Sequence, residues 1–170
     1  EGMPFYTDDW IWDTYRAVHP LRVLIEPKKE LAMVSSYVRM AQQSPEGWMP
    51  TFPEVTGDSH RMNGNHAVAV IWDAYCKGLT GFDLDKAYNA CKSAIMDETL
   101  APWMRAKAGD LDAFYKEKGY FPALHPNEKE TSKLVHPFEN RQVIAVTLGA
   151  SFDDWCLSQI AKSLGKTDDY

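Results

Sequence analysis

The densest set of potentially functional residues in this 170-residue chain is the run from Trp12 to Arg16, which reads Trp-Asp-Thr-Tyr-Arg. Aromatic faces pack against the apolar C–H face of a sugar ring, and a charged group forms hydrogen bonds to hydroxyls that contribute about 1.5 to 3 kcal/mol each. The run therefore indicates sugar binding. The structural alternative is that the rings belong to a core and that Asp13 forms a surface pair with Arg16, which would contribute about 0.2 to 0.5 kcal/mol.

The loop from Ser44 to Asn65 is a second candidate region, because it combines prolines with aromatic, acidic and basic side chains. Such a loop is costly to order unless it lines a pocket, although it could also be a proline-stiffened connection. Asp58, His60 and His66 carry side chains that bind transition metals. Their spacing matches no established metal motif, so the sequence predicts no metal site.

Catalytic patterns are weak in this chain. It has no Gly-x-Ser-x-Gly nucleophile turn, and none of its cysteines lies near a histidine in sequence. Asp153 and Asp154 look like a carboxylate pair, but adjacent side chains on a helix diverge by about 100°, so at most one of them points inward. We therefore assign no catalytic residue to this chain.

The composition, with 45% hydrophobic and 25% charged residues, is that of one ordinary globular domain. The net charge of −6 and the scattered basic residues argue against nucleic-acid binding. No apolar run reaches the roughly 18 residues of a membrane-spanning helix, and no signal segment opens the chain. Because an aromatic-rich segment follows Glu1 almost at once, we expect a processed product or a piece of a longer polypeptide. The three separated cysteines predict buried thiols and leave the compartment open.

Apolar periodicity predicts an all-α chain, because strand patterns are nearly absent. Pro27 suits the first turn of a helix that ends at Ser44, and Asp83 suits the N-cap of another helix. Further helices are predicted over residues 66–77, 110–118 and 142–164, the last with Gly165 as its stop. Helices joined by loops rich in Gly, Pro and aromatic residues favour stacked hairpins. A plain helical bundle is the alternative.

Three blocks of sequence occur in an order and spacing that match one known family. The first is residues 12–16 followed by His-Pro-Leu at 19–21. The second is Gly-Asn-His-Ala-Val at 64–68 with the segment 71–78, and the third is Phe-Asp-Asp-Trp-Cys at 152–156 with the segment 161–165. On these residues the chain resembles the calcium-dependent, exo-acting alpha-mannosidases of glycoside hydrolase family 92.

The resemblance implies a protein larger than this chain. Family members join a β-sandwich to a toroid of paired helices, the (α/α)6 fold, and residues 1–170 resemble only the first part of that toroid. The family's general acid lies in a Glu-Gly-Asn-x-Trp motif and its base in an Asn-Asp/Glu-Asp-x-Gly-Gln motif, and neither motif occurs here. The resemblance therefore implies that both catalytic carboxylates and most calcium ligands lie beyond Tyr170. The remaining segments of the same enzyme would be partners of this chain.

The resemblance also implies roles for four residues of this chain. Trp12 and Asp13 match family positions that contact the non-reducing mannose, so we expect Trp12 to form an apolar wall and Asp13 to accept hydrogen bonds from hydroxyls. Arg61 and His66 are further substrate-binding candidates, although a histidine at a helix start is as often structural. Arg16 is expected to orient Asp13.

The chain departs from many relatives at two places. Asp58-Ser59 stands where they have Glu-Thr, and Gly149 stands where they have the Glu of a Thr-Leu-Glu run. A shortened carboxylate and a missing one would suit a subgroup with a different linkage preference.

The resulting expectation is a segment of an alpha-mannosidase that hydrolyses terminal mannose from glycans with inversion. The segment would be inactive alone, and the resemblance implies a periplasmic or extracellular protein. Two alternatives stay open. The first is a helical-hairpin interaction module whose aromatic and acidic N-terminus binds a peptide or a partner helix. The second is a sugar-binding remnant without hydrolytic activity.

Overall fold

The computed structural model describes residues 4–170, and most of these residues are helical. The helices are α1 (Ile11–Thr14), α2 (Val18–Ile25), α3 (Pro27–Gln43), α4 (Ala67–Cys76), α5 (Leu84–Asp97), α6 (Asp110–Lys118) and α7 (Val143–Ser163), followed by a short 3-10 helix (Thr167–Asp169). The expectation of an all-α chain is confirmed.

Several helices begin or end where local chemistry predicts. Pro27 opens α3 and keeps Glu26 out of the helical conformation, at φ −136°, because proline disfavours that conformation in the residue before it. The Asp83 side chain accepts a hydrogen bond from the Lys86 backbone N–H at 3.0 Å and caps α5. Gly119, at φ +78°, ends α6 in the left-handed conformation that glycine tolerates best.

The one-turn helix α1 and the short 3-10 helix lie outside the sequence-based prediction, and so do two further elements. The first is α2, an eight-residue helix (Val18–Ile25) that is separated from α3 by the non-helical residue Glu26. The second is a small antiparallel hairpin in the long loop, in which β1 (Pro53–Glu54) pairs with β2 (Gly57–Asp58). Each strand has two residues, which is too few for periodicity to reveal.

The core is built around α4, which packs against α2, α3, α5 and α7. Small side chains line α4 and α5 and let the helices approach closely, among them Ala67, Ala74, Ala87 and Ala94, all fully buried. A second, smaller core lies between α6 and the first half of α7, around Tyr115, Phe121, Val146 and Ala150. Within residues 4–170, no helix has the combination of length and hydropathy needed to span a bilayer.

One face of α7 is apolar and exposed. Ile144, Leu148, Phe152 and Trp155 recur at helical spacing and lie on the opposite side from the buried face that includes Ile160. Leu148, for example, is 67% exposed. A helix that is apolar on both sides is normally covered on both sides. The 170-residue chain taken alone therefore presents a surface that favours self-association.

We expect Leu148→Lys to reduce aggregation of the isolated chain several-fold, because the charge interrupts this exposed apolar face. Asn89→Lys on the exposed side of α5 is the matched control, since it adds the same charge outside the apolar face and should change little. Size-exclusion chromatography with light scattering measures the aggregated fraction. A wild-type chain that is monomeric at high concentration would contradict this expectation.

Candidate functional site

The short helix α1 presents two of the predicted residues to solvent. The Trp10 carbonyl accepts hydrogen bonds from the backbone N–H groups of Asp13 at 2.8 Å and Thr14 at 3.1 Å, which closes the turn. Trp12 is 37% exposed and Asp13 is exposed. Trp12 and Asp13 are therefore free to contact a ligand.

Asp13 lies on the edge of a cleft of about 410 Å³. Both acidic and basic side chains line this cleft, the lining residues including Asp8, Asp9, Asp13, Arg22 and Lys29. A sugar hydroxyl both donates and accepts hydrogen bonds, so a surface of this mixed character can bind it. Trp10 forms part of the rim and stacks on Phe52 of the long loop, with ring centroids 5.3 Å apart.

Tyr15, at the end of α1, stacks on the His66 ring at a centroid distance of 4.1 Å. His66 is only 3% exposed, and its Nδ1 lies 2.9 Å from Oδ1 of Asp153 on α7. The other carboxylate oxygen of Asp153 accepts a hydrogen bond from the Asn65 backbone N–H at 2.7 Å. Burial raises the pKa of Asp153. These contacts join α1, the start of α4 and α7 at a single buried carboxylate.

Two glycines make room for the His66 ring. An added Cβ would lie 2.4 Å from His66 Cε1 at Gly64 and 3.2 Å from the same atom at Gly149. Gly64 also has φ +85°, a conformation that other residues rarely adopt. Gly149 thus lets α7 approach the ring closely.

A second buried histidine, His60, stabilises the long loop. Its Nδ1 lies 2.5 Å from Oε1 of Glu98, and its Nε2 lies 3.4 Å from Oδ2 of Asp58. Burial acts to lower the pKa of His60, but contact with Glu98 leaves that pKa raised. The Asp58 carboxylate also accepts backbone hydrogen bonds from Thr51 at 2.9 Å and Phe52 at 2.8 Å. These contacts fold the loop onto the end of α5.

Arg61 lies on another part of the surface from Asp13. It is exposed, its Nη1 lies 3.6 Å from Oε1 of Glu54, and it lines a smaller depression with Asn63 and Trp103. Within residues 4–170, the clefts of the structure do not bring Arg61 and Asp13 together.

His66 and Arg16, two other residues with expected roles, both contact Tyr15. The burial of His66 under Tyr15 points to a supporting role, and its direct contact with sugar stays a prediction. Arg16 contacts Tyr15, because its Nε donates to the Tyr15 hydroxyl at 2.8 Å. The structure thus places Arg16 against Tyr15, and the orientation of Asp13 by Arg16 stays a prediction. A guanidinium can lie flat over the aromatic ring beside it in sequence, and the Arg16 Cζ lies 5.2 Å from the Tyr15 centroid.

Comparison with known proteins decides the family. The model of the glycosyl hydrolase family 92 catalytic domain matches residues 1–170. The chain belongs to glycosyl hydrolase family 92. A GH92 alpha-mannosidase from Bacteroides thetaiotaomicron has a similar structure, with a TM-score of 0.77 and 31% identity over 100% of this chain and 20% of that one. The same mannosidase in complex with mannoimidazole gives the same TM-score and identity.

Two further relatives are informative. A GH92 inverting mannosidase from Bacteroides thetaiotaomicron VPI-5482 gives a TM-score of 0.76 and 31% identity over 97% of this chain and 20% of that one. An uncharacterized secreted glycosidase of Arthroderma benhamiae is 29% identical over 141 residues, which are 81% of this chain and 17% of that protein. The GH92 chain thus spans about a fifth of the length of its relatives. Its helical hairpins form part of a helical toroid, as expected.

We expect Asp153→Ala to lower the free energy of unfolding by about 3 kcal/mol, because it leaves the buried donors of Asn65 and His66 without an acceptor. Asp154→Ala is the matched control. The Asp154 side chain is exposed and accepts one hydrogen bond, from the Tyr115 hydroxyl at 2.7 Å, so its loss should lower that free energy by about 1 kcal/mol. Urea unfolding of the protein that contains this chain, followed by tryptophan fluorescence, measures both. Equal losses would contradict the role of Asp153.

Gly64→Ala should lower the free energy of unfolding by about 2 kcal/mol more than Gly78→Ala, because overpacking adds roughly 1 to 3 kcal/mol to the backbone strain. The two glycines share nearly the same backbone angle, φ +85° and φ +89°. At Gly78 an added Cβ meets nothing within 4 Å, whereas at Gly64 it meets the buried His66 ring. Thermal unfolding of the two variants makes the comparison, and identical melting temperatures would exclude the steric role of His66.

Proposed function

We propose that this chain forms one wall of the mannose-binding pocket of an exo-acting alpha-mannosidase that hydrolyses terminal mannose from glycans with inversion. The observation that carries the proposal is the match of the GH92 catalytic domain to residues 1–170, in a fold that leaves Trp12 and Asp13 exposed on one turn. Two of the similar structures are named as alpha-mannosidases or mannosidases, and one of them binds mannoimidazole. These similarities favour mannose among sugars.

Trp12 and Asp13 would divide the recognition of the sugar between them. The indole ring of Trp12 offers an apolar face to the C–H groups of the ring, and the Asp13 carboxylate accepts hydrogen bonds from hydroxyls. Arg61 would reach a more distant part of the glycan from its own depression. His66 would act through Tyr15, whose ring it supports from below.

The reacting carboxylates are proposed to lie in the rest of the enzyme. Inversion needs two carboxyl groups about 6.5 to 9.5 Å apart, with a water between them. Asp153 and Asp154 do not form such a pair, because the first is buried against His66 and the second contacts Tyr115. The segments that supply the acid and the base would therefore be the partners of this chain.

Calcium is proposed as the cofactor of the whole enzyme on the basis of the family resemblance. Within residues 4–170, no three or more His, Cys, Asp or Glu side chains are placed to hold a metal ion together. The side chains within residues 4–170 therefore supply no such cluster of ligands by themselves, and nothing in the proposed role of Trp12 or Asp13 depends on the metal.

Export from the cytoplasm is also proposed, in agreement with the name of the Arthroderma benhamiae relative, a secreted glycosidase. A glycan substrate suits that location. Cys91 and Cys156 are buried as expected, whereas Cys76 is exposed, so the prediction of a buried thiol is wrong there. None of the three is paired in the structure of residues 4–170, and free thiols are compatible with either compartment.

Asp13→Asn should lower kcat/KM for an aryl alpha-mannoside by about 100-fold in the protein that contains this chain. Losing one or two charge-assisted hydrogen bonds has roughly this effect. Asp110→Asn, an exposed aspartate at the start of α6, is the matched control and should leave kcat/KM unchanged. Steady-state kinetics on both variants, with circular dichroism to verify folding, makes the test.

The outcomes separate this proposal from its alternatives. Near-normal hydrolysis by the Asp13→Asn variant would reject the role of Asp13. Mannose binding by the wild type without any turnover would support a non-hydrolytic sugar-binding protein. Binding of a peptide or a partner helix in place of mannose would support an interaction module.

A further inference from the structure

His19 is a buried histidine between two buried carboxylates. Its Nδ1 lies 2.7 Å from Oε1 of Glu30, and its Nε2 lies 2.7 Å from Oδ2 of Asp9. His19 is 1% exposed and Glu30 is fully buried. The Tyr37 hydroxyl also donates to Oδ2 of Asp9. Four side chains from the N-terminal segment, α2 and α3 thus form one hydrogen-bonded group, the His19 network (Asp9, His19, Glu30 and Tyr37).

This network extends to the turn that presents Trp12 and Asp13. The second oxygen of Asp9, Oδ1, accepts a hydrogen bond from the Thr14 hydroxyl at 2.9 Å. Asp9 stands just before α1 and Thr14 is its last residue, so a single carboxylate holds both ends of the turn. The Asp9 backbone N–H also donates to the Pro53 carbonyl at 3.1 Å, which joins the same point to the long loop.

The buried charges in the network indicate that it fixes one conformation of these side chains. Buried ion pairs are seldom more stable than apolar residues of the same shape, and their better-supported use is to fix one conformation. Both imidazole nitrogens face carboxylate oxygens, which favours the doubly protonated ring. Although burial acts to lower it, Asp9 and Glu30 raise the pKa of His19 to about 9. Burial acts to raise the pKa of Asp9, but contact with His19 leaves that pKa lowered.

The opposite end of the turn has its own support. Tyr15 follows Thr14 directly and stacks on His66, which in turn contacts Asp153. The exposed residues Trp12 and Asp13 therefore lie between two buried anchors. Loss of either anchor would leave the turn held by the other alone.

We propose that His19 is a positioning residue for substrate binding, which acts through Asp9 and Thr14 to hold Trp12 and Asp13 in place for the sugar. The inference rests on the proposed function and deepens it. His19 itself touches no substrate, because it is buried. Its effect should therefore fall on binding more than on the chemical step, since misplaced sugar contacts weaken binding while the reacting groups are elsewhere.

The test uses His19→Gln and Thr14→Val in the protein that contains this chain. The first variant removes the cation. The second removes the hydroxyl that links the end of α1 to Asp9 and that also lies 3.2 Å from the Trp10 carbonyl oxygen within the same turn. For an aryl alpha-mannoside, we expect both to raise KM about 10-fold while kcat stays within about threefold of wild type. His125→Gln replaces an exposed histidine and is the matched control, with unchanged KM.

The pH profile is a second readout. The wild-type KM should be lowest below pH 9 and rise as the pH passes about 9, because His19 then loses the proton that bonds it to both carboxylates. The groups facing His19 are Asp9 before α1 and Glu30 and Tyr37 from α3, with Arg22 on its own helix near Tyr37. This rise should be absent from the His19→Gln variant, whose KM is high throughout.

The outcomes distinguish the possibilities. Folded variants with wild-type KM values would overturn the positioning role while leaving the mannosidase proposal intact. A purely structural role would reduce the amount of folded enzyme and leave KM unchanged, and this would also overturn it. If the His19→Gln variant does not fold, the KM of the Thr14→Val variant alone decides the test. Valine has nearly the same shape as threonine, so this variant should fold. A wild-type protein that neither binds nor hydrolyses mannosides rejects both proposals.

Discussion

The buried contact between Asp153 and His66 is the interaction on which the arrangement of this chain most depends. The carboxylate joins α7 to the Asn65 backbone and to the first residue before α4, and the His66 ring then supports Tyr15 at the end of α1. Elements that are 87 residues apart in sequence meet at this point. Because the group is buried, removing one partner leaves the other unsatisfied, so the whole junction is held in one geometry.

The chain combines a buried, hydrogen-bonded frame with an exposed turn that is proposed to bind the sugar. Histidine and carboxylate pairs lie below the turn, at His19 and at His66, and both are almost inaccessible to water. Trp12 and Asp13 lie above them and remain exposed. A binding site is precise when rigid elements hold the residues that touch the ligand. The frame and the turn together suit the proposed role, in which this chain orients the sugar and carboxylates in the rest of the enzyme cleave it.

The helices were largely predictable because their signals are local. The helix ends at Pro27, Asp83 and Gly119 depend on contacts between immediate neighbours, so the sequence is sufficient to locate these ends. Contacts within the His19 network and around Asp153 were not predictable, because partners 10 to 88 residues apart leave no periodic signal. Adjacent-residue geometry did predict that only one of Asp153 and Asp154 faces inward, and the structure confirms it. Family membership came from three short blocks whose spacing is specific, whereas the positions of Arg61 and Arg16 needed the fold.

The most direct test of the proposed pocket wall is the position of a bound sugar. A crystal structure of the protein that contains this chain, with mannoimidazole bound, would measure the distance from the inhibitor to α1. We expect a carboxylate oxygen of Asp13 within about 3 Å of a sugar hydroxyl and the Trp12 ring against the C–H face of the sugar. An inhibitor bound with both side chains still facing solvent would contradict the proposed role of this chain.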